Sequence, residues 1–302
     1  MQGRVVVIGS LNMDLVTRAQ RLPRAGETLA GESFTTVPGG KGANQAVAAA
    51  RLGAEVAMIG CVGDDAYGQS LREGLIAEGI DCRALEVVAG MSSGVALIVV
   101  DAASQNTIVI VAGSNGCLSS RLIERFDAML QGADVVVCQM EVPPDTVAFA
   151  LARARQLGKT VILNPAPVDG PLPVEWLASV DYLIPNESEA AALTGLPVDD
   201  LSSAQEAGRH LRGLGAARVI VTLGAQGAVL VSARGSEHFA APVVQAVDTT
   251  AAGDTFVGAF AAALARGCTE HESILFGQRA AAISVTRAGA QPSIPRLEEL
   301  GG

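Results

Sequence analysis

The stretch best suited to chemistry is Asp248-Thr249-Thr250-Ala251-Ala252-Gly253-Asp254-Thr255-Phe256. Small residues here run into Gly253-Asp254 just before an alanine-rich helical pattern, Gly253–Arg266. Small side chains let backbone N–H groups approach a ligand, and a helix start carries about half a positive charge, so the run reads as an anion hole. A carboxylate at Asp254 would repel a phosphate held there unless it takes part in the reaction. Its natural task is general base, taking a proton from a hydroxyl that attacks a γ-phosphoryl group. Asp is equally at home as a helix N-cap, so this stretch alone leaves both roles open.

Four weaker stretches could serve the same reaction. In Pro38-Gly39-Gly40-Lys41-Gly42-Ala43-Asn44-Gln45-Ala46 the glycines would admit a small polyol, with Lys41 and Asn44 bonding its hydroxyls; a Gly-rich turn with a solvated lysine is the plainer reading. The spacing is neither a P-loop nor a dinucleotide fingerprint. Asn12 and Asp14 alternate after the first strand, so both can face one side and Asp14 can grip vicinal hydroxyls, or they form an Asx turn. Thr222-Leu223-Gly224-Ala225-Gln226-Gly227 could cradle a nucleotide or merely turn a hairpin. Asn186 and Glu189, in Asn186-Glu187-Ser188-Glu189, could organise phosphate-bound Mg²⁺ and its waters or cap a helix, and Glu141 is a weaker candidate of that kind. The five cysteines form no CxxC pair and the three histidines have no ligand spacing, which argues for reduced thiols and against a zinc site.

These residues sit at the ends of elements that alternate between valine-rich strands and amphipathic helices. Strands are predicted at Val5–Ile8, Val56–Ile59, Val135–Gln139, Thr160–Leu163, Tyr182–Pro185, Val219–Thr222 and Ala228–Val231. Helices are predicted at Ala43–Leu52, Tyr67–Glu78, Ser119–Leu130, Pro144–Leu157, Ser188–Thr194, Ala204–Leu214, Gly253–Arg266 and His271–Val285. The alternation predicts an α/β fold, a doubly wound, mostly parallel sheet flanked by helices, as one domain over residues 1–302. Two insertions, about 11–38 and 95–112, lack helical period and predict a small β-sheet, with a hairpin turn at Ala102–Gln105. Its apolar face would need cover, either as a lid on the site or by pairing with another subunit.

With 49% hydrophobic and 17% charged residues, the chain is not a disordered one. Its longest apolar runs fall short of the roughly 20 residues a spanning helix needs, and no signal-peptide pattern opens the chain, so the expected compartment is the cytoplasm. A net charge of −10 argues against a nucleic-acid partner but leaves room for a locally held nucleotide.

Taken together, GGKGANQA at Gly39–Ala46 and DTTAAGDTF at Asp248–Phe256 match two signatures of a known family, and GSLNMD, NESEA, TLGAQG and VTRAGAQPS follow in its order. Over about residues 4–296 the chain resembles the ribokinase-like (PfkB-type) carbohydrate kinases. The resemblance implies ATP-dependent phosphorylation of D-ribose at its 5-hydroxyl, with deoxyribose, another small sugar or a nucleoside as the alternative acceptor. It implies that Asn12, Asp14, Gly40, Lys41, Asn44 and Glu141 hold the sugar, that Asp254 is the base, and that Ala251, Ala252 and Gly253 form the anion hole. Asn186, Thr222, Gly224, Gly227, Gly253 and Gln278 would lie along ATP, and Asn186 and Glu189 would act on Mg²⁺ through water and phosphate. Asp248, Thr250, Ser284, Arg287, Gly289 and Ser293 would surround K⁺, several through backbone carbonyls, and the small sheets would pair in a homodimer. Gln278 departs from the pattern, since the family often carries His or Asn beside the adenine.

Overall fold

The computed structural model describes residues 3–103, 105–168 and 170–301; Ser104, within the predicted hairpin turn, lies outside them. The chain runs β1 (Arg4–Ile8), β2 (Asn12–Arg18), β3 (Ser33–Gly39), α1 (Lys41–Arg51), β4 (Glu55–Gly63), α2 (Ala66–Ala77), β5 (Asp81–Val88), β6 (Gly94–Val100) and β7 (Asn106–Val111). It continues with α3 (Ser120–Arg125), α4 (Asp127–Gly132), β8 (Val135–Cys138), α5 (Pro144–Gln156), β9 (Thr160–Leu163), α6 (Val174–Leu177), β10 (Tyr182–Leu183), α7 (Glu187–Thr194) and α8 (Leu201–Gly213). The last elements are β11 (Arg218–Thr222), β12 (Ala228–Ser232), β13 (Gly235–Phe239), α9 (Ala252–Ala265) and α10 (Glu270–Ser284).

Nine strands form the main sheet in the order β13-β12-β11-β10-β9-β8-β1-β4-β5, parallel throughout except where β12 and β13 turn back at one edge. Both faces are covered. Val5 and Val7 of β1 enter one apolar cluster and Val6 and Ile8 the other; Ile220 of β11 lies in the first, Val219 and Val221 in the second. That is why the strands read as continuous valine runs rather than alternating ones. Three differences from expectation have local causes. The predicted helix Ser119–Leu130 is two, because Phe126 leaves helical geometry (φ −112°, ψ 26°). Charged residues interrupt β5, and β13 is a mostly exposed polar edge, so neither carries an apolar run that would reveal it.

β2, β3, β6 and β7 form a separate sheet in the order β3-β2-β6-β7, drawn from the two insertions. β2 pairs antiparallel with β3, with Asn12 opposite Gly39, and parallel with β6, with Asn12 opposite Gly94. This sheet grows straight out of the C-terminal end of β1. On the first face of the main sheet, α1 lies against α9. The contact needs Gly258, since a Cβ there would come within 2.5 Å of both Gln45 O and Ala48 Cβ. This close approach sets the Asn44–Gln45 turn of α1 beside the start of α9. Among the described residues no helix is long and apolar enough to cross a membrane. All five cysteines are free, and burial pushes the Cys61 and Cys138 thiols up to about 12.

Candidate active site

The start of α9 is unusual. Ala251, its N-cap, adopts left-handed backbone (φ 58°, ψ 15°), and no side chain caps the helix. It is the sole non-glycine residue with positive φ among those described. An alanine held there is strained and requires support. The support is its own carbonyl, which accepts from both Thr255 N–H and Thr255 Oγ1–H at 2.8 Å. Ala252 N–H donates to Thr249 O at 3.2 Å, whereas the N–H groups of Ala251, Gly253 and Asp254 have no acceptor among the described residues. Open amides at a helix start form a ready anion site.

Asp254 is not a cap. Its carboxylate is buried and points off the helix, with Oδ2 accepting from Asn44 Nδ2 and Oδ1 from Gln45 Nε2, both at 2.9 Å. Of the two roles open in the sequence, capping is therefore excluded. A hollow of about 190 Å³ adjoins it, lined by Lys41, Asn164, Asn186, Glu189, Thr222 and the Thr249–Asp254 turn among others. Among the predicted site residues, Lys41, Asn186, Glu189, Thr222, Ala251, Ala252, Gly253 and Asp254 thus share one cavity.

The predicted sugar residues cluster next to it. β2 is extended, so no Asx turn forms at Asn12–Asp14. The Asp14 carboxylate is buried yet has no hydrogen-bond donor among the described residues. Burial first, then the charges of Glu141 and Asp254, push it up to about 7. Glu141 Oε2 instead accepts from Ser10 Oγ at 2.6 Å, Lys41 N–H at 3.1 Å and Asn12 Nδ2 at 3.4 Å, tying the end of β1 to the start of α1. Asn12 Oδ1 accepts from Asn115 Nδ2 at 2.8 Å. Gly40, the N-cap of α1, has φ 88°, and a Cβ there would lie 2.6 Å from Asn12 N, so only glycine permits this turn. Lys41 is not a solvated lysine. Burial pulls its ammonium down, but Asp254, Glu141 and Glu189 outweigh that and hold it above its ordinary value.

On the nucleotide side the placement is mixed. Asn186 and Glu189 form a reciprocal capping box at the start of α7: Asn186 Oδ1 accepts from Glu189 N–H at 2.8 Å, and Glu189 Oε2 accepts from Asn186 N–H at 2.9 Å. Their capping role is real, and both also face the hollow. Burial raises the Glu189 carboxyl above its ordinary value against the Asn186 N–H and Lys41. Thr222–Gly227 is a hairpin turn between β11 and β12; only Thr222 reaches the hollow. Gly224 lies in that turn, and Gly227 packs on Phe239 O, which also accepts from Gln278 Nε2 at 2.7 Å. Gly227 and Gln278 thus lie against the same carbonyl, and neither lines the hollow.

Asp248 closes the loop before α9. Oδ1 accepts from the Thr250 N–H at 2.9 Å and hydroxyl at 2.6 Å, and Oδ2 from Gly289 N–H at 2.9 Å. Burial raises its carboxyl, but these donors prevail and hold it below the usual range. Ser284 Oγ and Ser293 Oγ each donate to a backbone carbonyl at 2.8 Å, and Arg287 pairs with Glu299. Side chains in this group are thus engaged, and any cation here would meet mainly carbonyl oxygens.

The model of the pfkB family of carbohydrate kinases matches residues 2–297. The chain belongs to that family. A ribokinase of Haemophilus influenzae is 43% identical over 99% of this chain and 97% of its own length. A deoxyribokinase of Salmonella typhi is 39% identical over 98% of this chain and 96% of its own. A solved structure of Arabidopsis thaliana ribokinase complexed with ribose and ATP superposes with a TM-score of 0.91 at 34% identity, covering 99% of this chain and 98% of that one. The ribokinase-like fold expected from the sequence is thereby shown. In this pfkB kinase the site also recruits residues that sequence reasoning passed over. Gln45, Asn164, Gln139, Ser10 and Asn115 supply buried hydrogen bonds around Asp254 and Asn12. Gln45 is visible only as part of GGKGANQA and Ser10 only as part of GSLNMD, and the other three carry no spacing signal.

Proposed function

We propose that this chain transfers the γ-phosphoryl group of ATP to the 5-hydroxyl of D-ribose, releasing ADP and D-ribose 5-phosphate. The observation that carries the reading is a buried, non-capping Asp254 beside unpaired N–H groups at the start of α9. Asp254 takes the proton of the attacking hydroxyl, the sugar oxygen bonds to phosphorus, and the bond from phosphorus to the ADP oxygen breaks. The N–H groups of Gly253 and Asp254, with the positive end of the 14-residue α9, stabilise charge on the transferring group. Asp14, which lacks a donor among the described residues, accepts from sugar hydroxyls and Lys41 donates to them; Lys41 also lines the hollow, where its charge would offset that of phosphate. The ribokinase and deoxyribokinase relatives, and the neighbour bound to ribose and ATP, support the substrate class.

Mg²⁺ fits the hollow through water and phosphate. Glu189 and Asn186 face it but are bonded to each other, and among the described residues no three acidic, His or Cys side chains converge on a metal. When bound, the ion would neutralise phosphate charge. K⁺ fits the loop of Asp248, Thr250, Ser284, Arg287, Gly289 and Ser293: the Ser284 carbonyl accepts from Arg287 N–H at 3.0 Å, whereas the carbonyls of Asp248, Thr250, Arg287, Gly289 and Ser293 have no donor among the described residues; the ion would hold the Ala251 turn in shape. The second sheet acts as a lid and pairs with a second copy, since Phe34, Leu97, Ile108 and Val109 are exposed on it. The cytoplasm suits such a kinase.

A coupled ADP-release assay across ribose, deoxyribose and nucleosides, with and without K⁺, tests the reading. Ribose should give the highest kcat/KM and K⁺ should raise it. The 39% identity to a deoxyribokinase keeps deoxyribose as the second reading, and a higher kcat/KM for it would select that one. Light scattering should return a dimer mass.

A further inference from the structure

Gln45 sits on α1 with no surface exposed, so it can touch neither sugar nor nucleotide, yet every polar atom of its side chain is engaged. Its Nε2 donates to Asp254 Oδ1 at 2.9 Å and to Asn164 Oδ1 at 3.1 Å. Its Oε1 accepts from Gln139 Nε2 at 2.6 Å. Asn164 in turn donates Nδ2 to Ile184 O at 2.9 Å.

The direction of each amide follows from its neighbours. Ile184 O requires the NH₂ of Asn164, which leaves Asn164 Oδ1 facing Gln45. Two acceptors, Asn164 Oδ1 and Asp254 Oδ1, then require the NH₂ of Gln45, and its carbonyl falls to Gln139. Gln139, Asn164 and Ile184 each follow directly on β8, β9 and β10, which are neighbours in the sheet. A carboxylate on a helix is thus braced through Gln45 against the ends of three parallel strands.

We propose that Gln45 is the positioning residue of the catalytic base. It holds Asp254 Oδ1 so that the remaining lone pairs face the acceptor hydroxyl, and Gln139 and Asn164 set the direction of Gln45. This rests on Asp254 being the base. A neutral amide with no exposed surface is otherwise a poor choice for a core position, since its polar atoms cost free energy unless all are paired. Asn44, one residue earlier, holds Oδ2 but keeps its own Oδ1 unpartnered, which suits a group shared with substrate.

The test compares Gln45→Met, Gln139→Met and Asp254→Asn with the unsubstituted kinase, measuring kcat, KM for ribose and for ATP, and calorimetric ribose binding without nucleotide. Losing a hydrogen bond to a charged group predicts a kcat about ten- to a hundredfold lower for Gln45→Met. Both KM values and the ribose affinity should stay within about threefold, because the interaction matters in the transition state rather than in binding. Gln139→Met keeps the bond to Asp254 but frees Gln45 to turn, and should lower kcat about three- to tenfold at unchanged KM. A merely structural role would move KM and ribose affinity together with kcat. If Asp254→Asn keeps kcat within about tenfold of the parent, the base reading fails and this one with it. If Asp254→Asn is inactive while both glutamine variants keep the parental kcat, this inference alone is overturned. Should Gln45→Met not fold, Gln139→Met decides: a fall in kcat at constant KM supports the brace, and parental kcat or a raised KM removes it.

Discussion

Two helices begin at the same hollow and are finished in opposite ways. α7 starts with Asn186 and Glu189 satisfying each other's backbone N–H groups, a closed capping box. α9 starts with a left-handed alanine, no side-chain cap, and N–H groups without acceptors among the described residues. Capping stabilises a helix by about 1 kcal/mol and consumes the groups that could bind an anion. An uncapped start forgoes that stability and keeps those groups available. Both helices face the hollow, but only α9 presents open N–H groups there, and an acidic residue near a helix start means different things in the two places. Glu189 is part of a cap, whereas Asp254 points away to Asn44 and Gln45.

The comparison can be broken most sharply at Asp254. Asp254→Asn should lower kcat by about 10²–10⁴-fold, the usual worth of a general base, with ribose affinity nearly unchanged. Steady-state kinetics and calorimetry check this, and a fall of less than about tenfold would return Asp254 to an ordinary helix residue.

The same contrast of satisfied and unsatisfied groups separates Asp254 from Asp14, whose carboxylate waits at about 7 without a donor. Its ionised form is the stronger acceptor for sugar hydroxyls, since both oxygens carry charge and neither holds a proton. KM for ribose should therefore fall roughly tenfold from pH 6 to pH 8, and Asp14→Asn should flatten that profile while raising KM throughout. Stability runs the other way. The fold favours the protonated carboxyl, so the unfolded chain binds fewer protons and stability falls as pH rises from about 4 to about 7. Asp14→Asn should melt at a higher temperature than the parent at pH 8 and at the same temperature near pH 4.

Ala251→Val places a β-branched side chain in left-handed backbone. It should cost about 1–2 kcal/mol in denaturant unfolding and lower kcat, while Ala251→Gly keeps both. The smallest effect belongs to the closed helix start. Asn186→Ala should lose about 1 kcal/mol of stability, with a smaller change in kcat than Ala251→Val. If Asn186→Ala instead loses turnover without losing stability, the two helix starts are more alike than their hydrogen bonds indicate.

Much of this was legible in the sequence where a local pattern carries a local cause. The small-residue run before Asp254 announces close backbone approach, and Asn186-x-x-Glu189 announces a cap. Valine runs announce strands buried on both faces. What stayed hidden depends on contacts between distant segments. Gln45, Asn164 and Asp254 lie 119 and 209 positions apart from Gln45 outward, and an isolated amide has no periodicity to betray it. The choice between base and cap at Asp254 was likewise undecidable locally, because it turns on where α1 lies against α9. β13 escaped notice because its residues face water and an edge strand of polar composition reads as loop.

The register of the second sheet carries one more consequence. Asn12 and Asp14 are not beside that sheet but members of β2, one of its two inner strands, and Gly39, opposite Asn12, leads directly into Gly40 and Lys41. The residues proposed to grip the sugar therefore share one sheet with the exposed apolar residues of β7. In the kinase proposed above, a second copy settling on Ile108 and Val109 would press on the same sheet that carries the Asp14 carboxylate. Under that proposal, grasping the substrate and swinging the cover would be mechanically one movement.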